Sequence, residues 1–252
     1  MANLTEIETH LRNILQCDRI DDYCPNGVQV RGGHNITRVV SGVTACMALF
    51  EAAVAVNAQL IITHHGLFWN KDPRVVEGML KHRLKLLLEH DITLMGFHLP
   101  LDMHPELGNN AQILNRLQLI AGEPFGVYKG SALSKMGHWE QSLSLDQVQQ
   151  KLQKLFGGEP LVLPYGPPNI RKVAVCSGGA PELIHEAVTA GADLFLTGEA
   201  SEPVYHVARE MGIHFVAAGH HRTEMFGVQA VGERLAQTFS LEHTFIDIPN
   251  PI

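Results

Sequence analysis

The chain has no CxxC pair. Its four cysteines, Cys17, Cys24, Cys46 and Cys176, are scattered, which argues against a disulfide framework or a thiolate metal site and fits a reducing cytosol. It also lacks any apolar stretch approaching the ~20 residues a membrane span needs. Its N-terminus is not a signal peptide: Thr5-Glu6-Ile7-Glu8 reads as a capping box, with Ile7, Leu11, Ile14 and Leu15 on one helical face. A soluble, cytoplasmic protein is expected. With a net charge of −7 and no long basic run, bulk binding to nucleic acid through phosphate neutralisation is not expected. No GxxxxGK[ST] loop exists, which excludes a P-loop NTPase, and there is no low-complexity segment.

What the chain has in excess is histidine, 15 in 252 residues. That length fits one or two domains, and 45 % apolar with 18 % charged residues is the composition of a globular protein with a sizeable core. Several histidines follow directly on apolar runs. Leu60-Ile61-Ile62-Thr63 leads into His64-His65. Leu94-Met95-Gly96-Phe97 leads into His98, with Asp102 beyond. Phe215-Val216-Ala217-Ala218-Gly219 leads into His220-His221, with Glu224 beyond.

Part of the sequence is echoed within it. Laying residues 36–65 on 170–199 without gaps pairs Ile36, Val39, Leu49, Ala53, Val54, Ala58, Leu60 and Thr63 with Ile170, Val173, Leu183, Ala187, Val188, Ala192, Leu194 and Thr197. Both copies read as strand, loop, helix, strand: Val39–Val43, Leu49–Val56 and Gln59–Thr63 in one, Val173–Cys176, Leu183–Ala190 and Asp193–Thr197 in the other. This is a βαβ unit, implying parallel strands with a right-handed crossover. The expected fold is therefore α/β, with two similar lobes from an internal duplication, residues 1–125 and 126–252. In the second lobe Leu145–Leu155 reads as an amphipathic helix followed by a short strand, Pro160–Leu163. Thr244–Ile248 reads as a final strand whose partner could be either lobe, the first included. The pair His98 and Asp102 matches His220 and Glu224 at a shorter offset, so the first lobe carries extra chain. Gly66–Gly78, with Phe68, Trp69, Lys71 and Pro73, is the natural place for it. Two readings are open: a substrate lid, or an insertion packed on its own lobe or on another subunit.

In α/β sheets, function gathers at the carboxyl ends of parallel strands, where His64, His98 and His220 are expected. Neighbouring residues of an extended chain point to opposite sides, so His64 and His65 would serve two ions rather than one. His220 and Glu224 are spaced to share one helical face, and Asp102 sits where the matching helix of the first lobe should begin. The pattern gathers His64, His65, Asp102, His220 and Glu224 between the lobes. Five ligands are too many for one catalytic ion and suit two ions ~3.5–4 Å apart, bridged by a carboxylate and a water. Imidazole and carboxylate suit zinc, iron, manganese or nickel without choosing among them. His98 reads as a partner that orients a ligand, ahead of direct ligation; His221 and Glu199 read as the same or as plain structure.

Weaker signals remain. Ser177-Gly178-Gly179, between a strand and a helix that opens on Pro181, is either an anion cradle or a tight turn that needs glycine. Cys176 reads as a buried small apolar residue. Pro25-Asn26-Gly27 reads as a turn, with no physical ground for a role of Asn26 or Gln29 in binding.

At Tyr23-Cys24-Pro25-Asn26-Gly27-Val28-Gln29-Val30, Thr63-His64-His65-Gly66, His98-Leu99-Pro100-Leu101-Asp102, Gly108-Asn109-Asn110 and Gly219-His220-His221-Arg222-Thr223-Glu224, the chain resembles the GTP cyclohydrolase I type 2 homologue family, the NIF-three-like proteins or domain of unknown function 34. These stretches run from near the start to near the end. The resemblance implies a duplicated α/β fold, a toroidal homohexamer and a dinuclear metal centre held by His64, His65, Asp102, His220 and Glu224, with the glutamate bridging.

Two functions follow as expectations. One is a metal-dependent hydrolase acting on a small molecule, a nucleotide such as GTP among the options, in which Glu224 is essential and His98 or His221 moves protons. Anion contacts to a triphosphate would come from Ser177–Gly179 or from Lys71 and Arg74. The other is a non-catalytic divalent-metal-binding module or interaction scaffold.

Overall fold

The computed structural model describes residues 1–128 and 130–252. It divides into two compact units, Met1–Leu107 with Gly227–Pro249, and Gly108–Phe226 with Asn250–Ile252. The fold is mixed α/β with parallel strands in both sheets.

Unit 1 is built on a five-stranded sheet. The strands Arg38–Thr44, Leu60–His65 and Thr93–Gly96 run parallel, with Val39 opposite Leu60 and Ile61 opposite Leu94. The antiparallel strand Gly27–Val30 closes one edge, and the late strand Glu242–Phe245 joins the other edge in parallel, Thr244 opposite Val40. Successive strand residues face opposite sides of a sheet, and here both sides are covered. Val39, Leu60, Ile62 and Met95 pack under Ile7 and Leu11 of the helix Leu4–Leu15 and under Val231 and Leu235 of Met225–Phe239. Val40, Ile61 and Leu94 pack on Leu49 and Phe50 of Met47–Ala55 and on Leu87 of Gly78–Glu89. That is why these strands read as unbroken apolar runs.

Unit 2 has a six-stranded sheet. Its parallel centre is Ile170–Cys176, Leu194–Thr197 and His214–Ala217. The long hairpin Ile120–Tyr128 and Ser131–Leu143 extends one side, and Leu161–Pro164 closes the other antiparallel. Val173, Val175, Leu194 and Leu196 pack on Ile113 of Asn109–Arg116 and on Val148 and Leu152 of Leu145–Phe156. Ala174, Phe195 and Phe215 pack on Ile184 and Ala208 on the other face. Leu145–Phe156 starts with a full capping box, the Ser144 hydroxyl accepting from the Gln147 N–H and the Gln147 side chain accepting from the Ser144 N–H.

Several expectations shift. The first helix is capped by Asn3, whose side-chain oxygen accepts from the Thr5 N–H at 2.8 Å; Thr5 lies inside the helix, so Thr5–Glu8 is not its capping box. The helix expected at Leu183–Ala190 opens as a 3₁₀ turn, Pro181–Leu183, before Ile184–Thr189. The units divide near residues 107 and 226, where the sequence reading drew one line after 125. The physical reason is that Asn109–Arg116 packs its Ile113 and Leu114 into the second core, while Val228, Val231 and Leu235 pack into the first. Among the described residues, no helix is long and apolar enough to cross a membrane.

Candidate metal centre

In unit 1 the parallel strand Leu60–His65 ends in its two histidines. His64 is fully buried; its Nδ1–H donates to the Phe97 carbonyl at 3.0 Å, and its Nε2 lies 3.5 Å from Asp102 Oδ2. His65 Nδ1 lies 3.3 Å from the Thr44 hydroxyl. The neighbouring strand Thr93–Gly96 leads through Phe97 to His98, which precedes the short helix Leu99–Met103 carrying Asp102. Ligand atoms of His64, His65 and His98 all lie within 4.8 Å of one another. The His64 and His65 rings, although on successive residues, stand with centroids 4.8 Å apart and tilted by 49°. Both residues lie within the strand, His65 still paired opposite Thr44.

Unit 2 places its donors after the strand His214–Ala217. Gly219 at φ +101 turns the chain into the single helical turn His220–Thr223. His220 Nδ1 is 2.5 Å from Glu199 Oε1, and its Nε2 is 3.1 Å from Glu224 Oε2. Glu224 ends the turn, and Met225–Phe239 follows as a separate helix. Burial disfavours the His220 imidazolium, but Glu224 and Glu199 outweigh it and raise its pKa to about 9. His221 is buried, and its backbone N–H donates to the Ile252 carbonyl at 3.0 Å.

The Ser177–Gly179 turn has a different reason from anion cradling. Ser177 N–H donates to Asn110 Oδ1 and Gly178 N–H to the Thr223 hydroxyl, so these two amides are bonded within the protein. Gly178 sits at φ +70, and a Cβ there would fall 2.3 Å from Glu224 Oε1. Glycine is needed because a carboxylate lies against the backbone.

The largest omission of the sequence reading is Asp22. Its side chain is 2 % exposed, and its carboxylate accepts four hydrogen bonds: from the Tyr23 N–H and His98 Nδ1–H on one oxygen, and from the Leu99 N–H and Asn26 Nδ2 on the other. Burial opposes the charge, but the bonds and the charge of His98 win and hold its pKa at about 2. Asn26 also accepts the His98 N–H at 2.7 Å. Gln29 accepts the Leu67 N–H at 2.7 Å and donates to the Pro25 carbonyl, and its amide lies so close to Gly66 that a Cβ there would meet it at 2.1 Å. The stretch around Pro25-Asn26-Gly27 is therefore a brace for His98 and for the turn after His65. Its apolar pattern carries no trace of this; the only sequence signal is the cluster of Asp, Asn and Gln in a predicted turn.

The donors fit a divalent ion. His64, His98 and His220 each have Nδ1 engaged by a carbonyl or carboxylate oxygen, which fixes the ring and leaves Nε2 as the atom that would meet an ion, the usual support of a metal-binding imidazole. Asp22, Cys24 and His98 also bring donor atoms within 4.8 Å of one another. That set is a poor site, because the Asp22 oxygens already accept four bonds and burial pushes the Cys24 thiol upward, away from the thiolate.

The family model Duf34/NIF3 (NGG1p interacting factor 3) matches residues 2–251. A relative from Yersinia pestis, called GTP cyclohydrolase 1 type 2 homolog, is 48 % identical over 250 residues, covering 98 % of each chain. Among solved structures, the protein ybgI, described as of unknown function, superposes with a TM-score of 0.94 at 42 % identity, covering 99 % of this chain and 100 % of that one. TTHA1606 from Thermus thermophilus follows with a TM-score of 0.91 at 34 % identity and the same coverage. A match of this extent, carried through both units, settles the kinship: the chain belongs to the Duf34/NIF3 family.

Proposed function

We propose that this protein is a hydrolase dependent on two divalent metal ions, with His64, His65, Asp102, His220 and Glu224 as their ligands. The observation that carries the reading is the pinning of Nδ1 on His64 and His220, which presents Nε2 beside a carboxylate in each unit. Two ions in such a site supply an acidic water and positive charge for the developing anion. The chain's own groups do the rest. Glu224 would be a shared carboxylate ligand, and the missing side chain at Gly178 leaves room for it. Asp22 holds the His98 ring by Nδ1, so that proton transfer falls to Nε2; His221 is the second histidine that could carry a proton. The relatives' name directs attention to a purine nucleotide, in which attack would fall on the imidazole-ring carbon between the two nitrogens.

The two sheets support common descent of the units. Arg38–Thr44 and Leu60–His65 enclose Met47–Ala55, as Ile170–Cys176 and Leu194–Thr197 enclose Pro181–Thr189, in the register of the internal sequence match. Four free cysteines support a reducing compartment, the cytoplasm, and the family resemblance supports a homohexamer.

The test is metal analysis of purified protein together with turnover of nucleotides by wild type and Glu224→Gln. Two ions per chain and turnover lost in a folded variant are expected. Undiminished turnover in Glu224→Gln would refute the mechanism. Bound ions with no turnover by wild type would leave a metal-binding module that is not an enzyme.

A further inference from the structure

Beside the histidine cluster of unit 1 lies a cleft of 630 Å³, bounded by the Gly66–Gly78 loop and by Asp22, Cys24 and Pro25. Clefts that bury small ligands are of this size. One residue belongs to both places. The Trp69 indole lines the cleft and also packs edge-on to His98, centroids 5.2 Å apart, and at 5.9 Å from His65. Tyr23 flanks it at 5.9 Å, tilted 33°, and contacts His98 edge-on at 5.0 Å. The loop is held here by the bond from the Asn70 N–H to the Tyr23 carbonyl. Arg74 stands on the same wall, and among the described residues no carboxylate is recorded within ion-pair distance of it.

The geometry points to this cleft as the binding site of a planar nitrogen heterocycle that carries an anionic group. The ring stacks on Trp69, the anion meets Arg74, and the ring is thereby held next to the imidazoles of His65 and His98. An indole is a stacking platform for any nucleobase-like ring. A guanidinium matches a phosphate or carboxylate in shape and charge. Phe68, Pro25 and Pro73 add apolar wall, which suits the faces of such a ring, and Asn70 and Asp72 also line the cleft. This deepens the hydrolase reading, on which it rests for the choice of a nucleotide as probe, and gives the inserted loop a purpose as the wall of the substrate site.

The experiment titrates GMP, guanosine and ribose 5-phosphate into the full-length protein and reads tryptophan fluorescence. Only Trp69 and Trp139 contribute. Trp139 is buried, its Nε1–H bonded to the Leu117 carbonyl, so quenching reports on Trp69. GMP should quench, guanosine should quench with weaker affinity, and ribose 5-phosphate should not. Equilibrium dialysis then compares variants. Trp69→Ala should bind GMP roughly tenfold or more weakly, whereas Trp69→Phe, which keeps a ring, should hold its affinity within about threefold and lose the quench. Arg74→Ala should cost about threefold to fivefold for GMP, the scale of an exposed ion pair, and nothing for guanosine. Metal content is measured on every sample. If GMP fails to quench, or if Trp69→Ala binds it as wild type does, the inference is overturned even where the ions are present. If GMP quenches protein that holds no ions, the cleft stands and the metal reading falls. Should Trp69→Ala not fold, the Trp69→Phe and Arg74→Ala arms decide.

Discussion

Asp22→Asn should destabilise the protein in a way that depends on pH. The substitution keeps the volume, removes the charge, and turns one acceptor oxygen into a donor facing N–H groups of Leu99 and Asn26 or of Tyr23 and His98. A carboxyl held at about 2 instead of its ordinary 3.8 contributes about 2 kcal/mol of stability at neutral pH. The side chain is 2 % exposed, so solvent screening takes little from this figure. Because the folded-state pKa is depressed, the folded protein binds fewer protons than the unfolded chain between the two values. The contribution is whole above 3.8 and fades as pH falls towards 2, reaching roughly half near pH 3. Urea unfolding of metal-stripped wild type and Asp22→Asn at about pH 7, 5, 4 and 3 measures the difference. A gap of about 2 kcal/mol near neutrality that narrows in acid is expected. A gap that stays constant across the range would mean that the lost stability comes from packing and not from the charge, and would refute the reasoning.

Glu199→Gln replaces the charged partner of His220 Nδ1 with a neutral one and should weaken metal affinity roughly 10–100-fold; competition with a chromophoric chelator measures it, and unchanged affinity would remove Glu199 from the site. Gly66→Ala drives a Cβ into the Gln29 amide, should cost about 1–3 kcal/mol, and should break the bond to the Leu67 N–H. Adding Gln29→Ala relieves the clash, so the double variant should lose less than the sum of the single losses in thermal unfolding.

The donor-bearing strands were legible because burial on both faces leaves continuous apolar runs, and a histidine ending such a run stands out. The parallel arrangement followed from the repeated strand–helix–strand spacing. Asp22, Asn26 and Gln29 were not legible in the same way. Their work is done by side chains bonding to backbone groups at Leu67, His98 and Leu99, far along the chain, and no periodicity records a bond of that kind. The N-terminal cap is ambiguous in sequence, because Asn3 and Thr5 are both good capping residues and only the bond from the Thr5 N–H to Asn3 distinguishes them. The boundary between the units is a tertiary matter, because no sequence pattern records that Asn109–Arg116 joins the second core and Met225–Phe239 the first.

The strand Glu242–Phe245 has a consequence for biosynthesis. It completes the edge of the sheet beside Arg38–Thr44, yet the ribosome makes it only after the whole of residues 108–226. Throughout that interval the Val39–Val40 edge has no covering strand, and an uncovered edge invites pairing with other chains. The nascent protein is therefore most exposed to misassembly while its second unit is emerging, and the histidine-bearing sheet is finished last although it is begun first.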